Sequence, residues 1–318
     1  MKNNLEELSK FTKIVVDTAN INEINYYKPI GATTNPSLIL QAIQTNQYNN
    51  YIDEAIKWVK KYNFKQEDKI KYITDYLIVS IGKKILEYIP GHISTEIDAR
   101  LSYDAKASFI RAKRLIKIYN YLGVSKKRVL IKIAATWQGI CSAKLLEKEG
   151  IKCNLTLLFS FAQAKACAES SVYLISPFVG RISDWYMFIT NKKIFKIEED
   201  PGVISVTKIF NYYKKHGYNT LVMGASFRNI NQVLALSGCD YLTISPTLLK
   251  QLSSVKGKIL KNLFYKGKIK KLNEKKLTES KFLWEHNSNI MAVNKLSEGI
   301  CNFANDQEKL EKIITKLV

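Results

Sequence analysis

A chain of 318 residues with 46% hydrophobic content can bury one large core, and its longest apolar runs, such as Tyr76 to Gly82, are far too short to span a membrane. The formal charge of +21 is spread along the whole chain, and its densest basic run, Lys256 to Lys276, has only Phe264 and Tyr265 interleaved; this reads as a solvated basic face, with no nucleic-acid platform. Five widely spaced cysteines (Cys141, Cys153, Cys167, Cys239, Cys301) and three scattered histidines (His92, His216, His286) offer neither a disulfide framework nor metal-ligand spacing. The cysteines are expected as reduced thiols serving as small core hydrophobes. The N-terminus, MKNNLEELSKF, shows no secretion signal, so a cytoplasmic location is expected.

After a short amphipathic start carrying Leu5, Leu8 and Phe11, residues Lys13 to Asp17 form a predicted strand that ends in a carboxylate. A short helix follows over Ile21 to Lys28. The next run, Ile30 to Pro36, is extended with Thr33 and Asn35 on one face, because Pro36 bars the helical conformation for Asn35 and suits the start of a helix. Helical periodicity then covers Ser37 to Ile43, Tyr48 to Tyr62 and Glu67 to Tyr88 until Pro90-Gly91 breaks it. His92 to Glu96 is the third strand, with His92, Ser94 and Glu96 on a common face.

Asp104 to Leu122 is the clearest helix, with Asp104 as its cap and Gly123 as its stop. It leads to Val129-Leu-Ile-Lys-Ile-Ala134, which is apolar apart from Lys132 and therefore suits a parallel strand covered on both faces. A lysine buried there either pairs with a carboxylate as a structural ion pair, or answers its desolvation by losing its proton, which makes the amine a nucleophile toward carbonyl carbon. Further on come a helix Trp137 to Lys148 stopped by Gly150, a strand Lys152 to Thr156, a helix Phe161 to Glu169 and a strand Val172 to Ser176. Pro177-Phe-Val-Gly-Arg181 follows, and then a longer insertion, whose acidic group Glu198-Glu199-Asp200 reads as a solvated loop or a helix start, precedes the helix Val203 to His216. Strands at Leu221 to Ser226 and Tyr241 to Ser245 flank a helix Asn229 to Leu236. Pro246 to Val318 is expected to be helical apart from a break near Lys266 to Asn273. Its last helix should run from about Ala304 to Leu317, with a stripe at Leu310, Ile313, Ile314 and Leu317.

Eight short strands alternating with helices predict an α/β fold, a (β/α)8 TIM barrel with additional helices in a single domain spanning 1–318, the helices from about 246 packing on the barrel. A doubly wound open sheet is the rival, and the lack of G-x-G-x-x-G after the first strand counts against it. Strand ends then share one rim: Asp17, Asn35, Glu96, Lys132, Asn154 with Thr156, Ser176 and Ser226. A lysine among carboxylates, amides and hydroxyls is the equipment for Schiff-base chemistry on a ketone. Arg181 and Arg228, just past the sixth and seventh strands, suit phosphate oxygens, with Ser226 close by, although a lone loop arginine is usually a surface ion pair.

Gly31-Ala-Thr-Thr-Asn-Pro-Ser-Leu-Ile39, Val129-Leu-Ile-Lys-Ile-Ala-Ala-Thr-Trp-Gln-Gly139, Cys153-Asn-Leu-Thr-Leu-Leu-Phe-Ser-Phe-Ala162, Ile175-Ser-Pro-Phe-Val-Gly-Arg181 and Met223-Gly-Ala-Ser-Phe-Arg228 closely resemble the motifs of the bacterial transaldolases, essentially from end to end. The resemblance implies a barrel enzyme of the non-oxidative pentose phosphate pathway, acting on phosphorylated sugars without metal or organic cofactor, and a homodimer. It also implies roles. Lys132 would form the Schiff base, Glu96 would act as acid and base through a water that Thr156 helps hold, and Asp17 would take the proton from the C4 hydroxyl. Asn35, Asn154 and Ser176 would grip the three-carbon unit, Thr33 and Phe178 would line the pocket, and Arg181, Ser226 and Arg228 would hold the phosphate. Ala135 departs from the serine of similar sequences at a position expected to leave the chemistry alone. Related aldolases that release free dihydroxyacetone carry glutamine and tyrosine in place of Glu96 and Phe178, so the residues here favour transfer.

Overall fold

The structure, a computed structural model, describes residues 2–45, 47–272 and 276–318. From the N-terminus run α1 (Asn4–Leu8), β1 (Lys13–Asp17), α2 (Ile21–Tyr27), β2 (Gly31–Thr33), α3 (Pro36–Gln44), α4 (Asn49–Lys60), α5 (Gln66–Leu86) and β3 (Ile93–Glu96). Next come α6 (Ala105–Tyr121), β4 (Val129–Ala134), α7 (Trp137–Lys148), β5 (Cys153–Leu158), α8 (Phe161–Glu169) and β6 (Leu174–Pro177). The rest is α9 (Gly180–Thr190), α10 (Pro201–His216), β7 (Leu221–Gly224), α11 (Ile230–Ala235), β8 (Tyr241–Ile244), α12 (Pro246–Ser254), α13 (Glu279–Asn287) and α14 (Ile290–Thr315).

All strands are parallel and pair in sequence order, with β8 closing on β1, so the sheet is a complete barrel with no free edge. Register follows from burial on both faces of each strand. It sets Asp17 beside Thr33, Glu96 beside Lys132, Lys132 beside Asn154 and Ala134 beside Thr156. The interior toward the amino-terminal mouth is filled by Val15, Leu130, Leu174 and Met223, while the larger core lies between the strands and the surrounding helices.

Local chemistry sets the strand-to-helix turns. Asn35 is extended (φ −153°, ψ 170°) and caps α3, its Oδ1 accepting from the Leu38 amide at 2.9 Å, while Pro36 occupies the first helical turn. Asp104 caps α6 in the same way, and Gly123 leaves that helix with φ +79°.

Several expectations are corrected. Residues 180–190, expected mostly within an insertion, form helix α9; its apolar residues are not confined to one face, with Phe188 84% exposed, so the periodic signature is lost. Of the two readings of the acidic group, the helix start holds for Asp200, which is buried, not solvated, and caps α10, its Oδ1 accepting from the Gly202 and Val203 amides. Strand β5 continues to Leu158 and β6 begins at Leu174, two residues later than expected. The C-terminal break is longer than predicted: residues 255–272 and 276–277 are non-helical, Ile259, Leu263 and Leu277 anchoring a lysine-rich strap that has no helical stripe. Asn273, the expected end of that break, lies outside the described residues. The last helix starts at Ile290 rather than Ala304. Leu310 and Ile314 are buried, but Leu317 lies beyond the helix end and is exposed. Among the cysteines, Cys153, Cys167 and Cys239 are buried, Cys141 is partly so, and Cys301 is exposed on α14, contrary to a core role. No helix among the described residues is long and apolar enough to cross a membrane.

Candidate active site

The β3–β4 register delivers Glu96 and Lys132 side by side, and their side chains, 4% and 5% exposed, form an ion pair of 3.0 Å from Nζ to Oε2. Nζ also donates to the Thr34 carbonyl at 3.2 Å. Burial pushes the Glu96 carboxyl upward from its ordinary value; the Lys132 charge opposes this and Asp17 adds to it. The buried Thr156 hydroxyl across the β4–β5 step has no hydrogen-bond partner among the described residues. An orphan polar atom of this kind is uncommon in an interior, and this one borders the same cavity as the lysine.

Around the pair the rim is tightly cross-linked. Thr33 donates to Asp17 Oδ1 at 2.7 Å and meets Thr243 Oγ1 at the same distance. Asn154 donates to Ser94 Oγ at 3.2 Å and accepts from Ser176 Oγ at 2.6 Å. These bonds fix the rotamers that present the amide and hydroxyls, the preorganisation a reacting site needs.

A cavity of about 180 Å³ is bounded by Asp17, Thr33, Asn35, Lys132, Thr156, Ser176, Phe178, Arg181, Ser226 and Arg228, so most of the expected residues converge. Glu96 and Asn154 do not border it; Glu96 stands against Lys132 and Asn154 against Ser176. A larger cavity, about 750 Å³, opens beside Lys13, Phe210 and Tyr241, but there the charged Lys214 and Asp240 pair with each other at 2.6 Å. Chemistry, rather than volume, identifies the smaller one.

The two arginines differ. Arg181 sits on the first turn of α9, its guanidinium 5.1 Å from the Phe178 ring and 5.8 Å from that of Phe303, with no ion pair among the described residues. Burial, reinforced by the Arg228 cation, lowers its proton affinity. Arg228 instead forks onto Asp184 at 2.7 and 2.9 Å and reaches Ser226 Oγ only at 3.4 Å, so its charge is shared before any anion arrives. Ser226 has φ +59°, a left-handed conformation costing a non-glycine residue roughly 1–3 kcal/mol. Its carbonyl accepts from the Gly180 amide at 2.7 Å, and a Cβ at Gly180 would lie only 2.5 Å from that oxygen, so glycine is required there.

The sequence reading missed Thr243, Ser245, Phe227 and Phe303, all of which border the cavity. Thr243 and Ser245 carried a usable signal, because they alternate inward at the end of the eighth strand. Phe303 carried none, since α14 brings it across the rim from the far end of the chain. Ala135 belongs to the core outside the barrel. Among the described residues no three His, Cys, Asp or Glu side chains converge as metal ligands.

A closed eight-stranded parallel barrel with a polar, charge-bearing cavity at the carboxyl ends of its strands defines the class of barrel enzymes. The sequence profile described as transaldolase/fructose-6-phosphate aldolase matches residues 14–314, nearly the whole chain. A transaldolase of Photorhabdus laumondii subsp. laumondii is 57% identical over 318 residues, covering all of both chains. The chain belongs to the transaldolase/fructose-6-phosphate aldolase family.

Proposed function

We propose that this chain carries out the transaldolase reaction through a Schiff base on Lys132. Transaldolase function follows from family membership and 57% identity over the full length; the residue roles are those the resemblance implies, and the clustering of most of these residues around one cavity supports them. In that reaction a dihydroxyacetone unit passes reversibly from sedoheptulose 7-phosphate to glyceraldehyde 3-phosphate, giving erythrose 4-phosphate and fructose 6-phosphate in the non-oxidative pentose phosphate pathway. The observation that carries the assignment is the buried Lys132 amine, 3.0 Å from a carboxyl whose proton affinity is raised.

Lys132 attacks the C2 carbonyl of the donor ketose. Glu96 accepts and returns protons as the carbinolamine loses water to become the iminium, with the unpartnered Thr156 hydroxyl holding the water through which it works. Asp17, oriented by Thr33, takes the C4 hydroxyl proton as the C3–C4 bond breaks, and the bonding pair moves into the iminium to give an enamine. The aldose phosphate leaves. The enamine carbon then attacks the acceptor aldehyde, whose oxygen takes the proton back from Asp17, and hydrolysis frees the lysine. Asn35, Asn154 and Ser176 grip the hydroxyls of the bound unit, and Thr33 and Phe178 shape the pocket. Arg181 holds the phosphate, with Arg228 and Ser226 completing that end once Arg228 shares its charge between Asp184 and the anion.

We also read the chain as one domain throughout 1–318, as a cytoplasmic protein and as a homodimer, for which sedimentation should return twice the chain mass. Borohydride reduction with fructose 6-phosphate tests the central role: peptide mass spectrometry should find the three-carbon adduct on Lys132 and on no other lysine. Lys132→Met should abolish transfer while leaving a cooperative melt. An adduct elsewhere, or transfer surviving in that variant, overturns the assignment.

A further inference from the structure

Phe303 is 2% exposed, yet it comes from no barrel strand. It lies midway along α14, and that helix is tied to the rim at several points. Ser37 on α3 donates to Asp306 at 2.5 Å, Arg100 in the β3–α6 connection forks onto Glu311 at 2.5 and 3.0 Å, and Trp185 on α9 donates to Asn294 at 3.2 Å. Leu157 supports it from below: a left-handed φ of +54° at the irregularity in β5 goes with a side chain pressed against Gly299. Held this way, the Phe303 ring lies 5.9 Å from Lys132 Nζ and 5.8 Å from the Arg181 guanidinium, and it borders the cavity.

The cavity lining is mixed. Asp17, Thr33, Ser176 and Thr243 are polar; Phe178, Phe227 and Phe303 are aromatic, and Phe303 is the one whose ring faces the amine. We propose that Phe303 is a specificity-determining residue that keeps a proton source from the carbon of the lysine-bound enamine, so that the three-carbon unit is handed to an aldehyde and not released. This rests on the Schiff-base reading above and goes beyond it.

The two fates diverge at the enamine. In transfer, its carbon bonds to the acceptor aldehyde carbon, and the aldehyde oxygen takes a proton. In release, a proton adds to that carbon, water then adds to the iminium carbon, and the carbon–nitrogen bond breaks to give free dihydroxyacetone and the lysine amine. Only the protonation belongs to release alone, since transfer too ends in hydrolysis of the iminium, and it needs a proton source at the enamine carbon, beside the amine that faces Phe303. An apolar ring excludes water there, contributes nothing that protonates carbon, and attracts the iminium cation through its face.

The test measures partition. With fructose 6-phosphate as donor, wild type and Phe303→Ala are compared for transfer to erythrose 4-phosphate and for release of free dihydroxyacetone. We expect the release-to-transfer ratio to rise about tenfold or more in Phe303→Ala, because roughly 1.4 kcal/mol of differential barrier is tenfold in rate. Phe303→Leu, which restores an apolar cover, should return most of the ratio. A ring that merely supports α14 would lower both fluxes together, and an unchanged ratio in a folded Phe303→Ala, or no recovery with leucine, overturns the proposal. Borohydride trapping runs alongside. An adduct on Lys132 in wild type with an unchanged ratio sinks the Phe303 role alone, whereas no adduct in wild type sinks the Schiff-base reading beneath it.

Discussion

Lys132 and Glu96 share one problem, the removal of two charges from water, and each relieves the other at 3.0 Å. The Coulombic gain of such a buried pair seldom exceeds its desolvation cost, so the pair is better explained by chemistry than by stability. Its protonation makes a checkable prediction. Burial disfavours the Glu96 anion, so the carboxyl keeps its proton to a higher pH than its ordinary value of 4.5. The base form is therefore lost, as pH falls, earlier than for an ordinary glutamate, and the acid limb of kcat/KM should lie above pH 4.5. In Glu96→Gln that limb should vanish and kcat should fall by about 10²–10⁴, the usual worth of a general acid or base. A limb persisting in the variant would move the titration to another group. Glu96 and Lys132 were both legible as strand-end residues; that Arg228 is already claimed by Asp184 was not, because the ion pair joins residues 44 apart in sequence.

At the scale of elements, most of the ladder was readable because each strand is a short apolar run bounded by caps and glycines. Helix α9 escaped because its apolar residues do not keep to one face, and α14 was shortened because Gly299, Asn294 and Asn302 interrupt its propensity ahead of Ala304. Gly299 is there for packing. An added Cβ would meet Leu157 Cδ2 at 2.6 Å and Cδ1 at 3.1 Å, and Leu157 is fully buried. Overpacking of this kind costs about 1–3 kcal/mol, against a helix-propensity gain of about 1 kcal/mol for alanine over glycine. Gly299→Ala should therefore lower stability by about 1 kcal/mol in urea unfolding. A higher midpoint with unchanged slope would show that Leu157 gives way freely.

For the whole molecule, the dominant feature is charge. A net +21 repels itself, and the Debye length shortens from about 30 Å at 0.01 M salt to about 8 Å at 0.15 M. Raising salt across that range should raise Tm, since screening removes more repulsion than it costs in surface ion pairs, which are individually weak. Over the same range kcat/KM for phosphorylated donors should fall, because steering of an anion toward a basic surface weakens. A Tm that drops with salt would mean that the surface pairs outweigh the excess charge.

What the amino-acid order determined by itself was local: which runs are strands, where caps and glycines stop helices, and that a lysine, two carboxylates and several hydroxyls end the strands together. Those follow from periodicity and from the conformational limits of single residues. Closure of the barrel and its register made neighbours of Glu96, Lys132 and Asn154, and the folding of α14 over the rim brought Phe303 to the amine. Such contacts join residues far apart in the chain and depend on how helices pack, so only the tertiary structure could decide them.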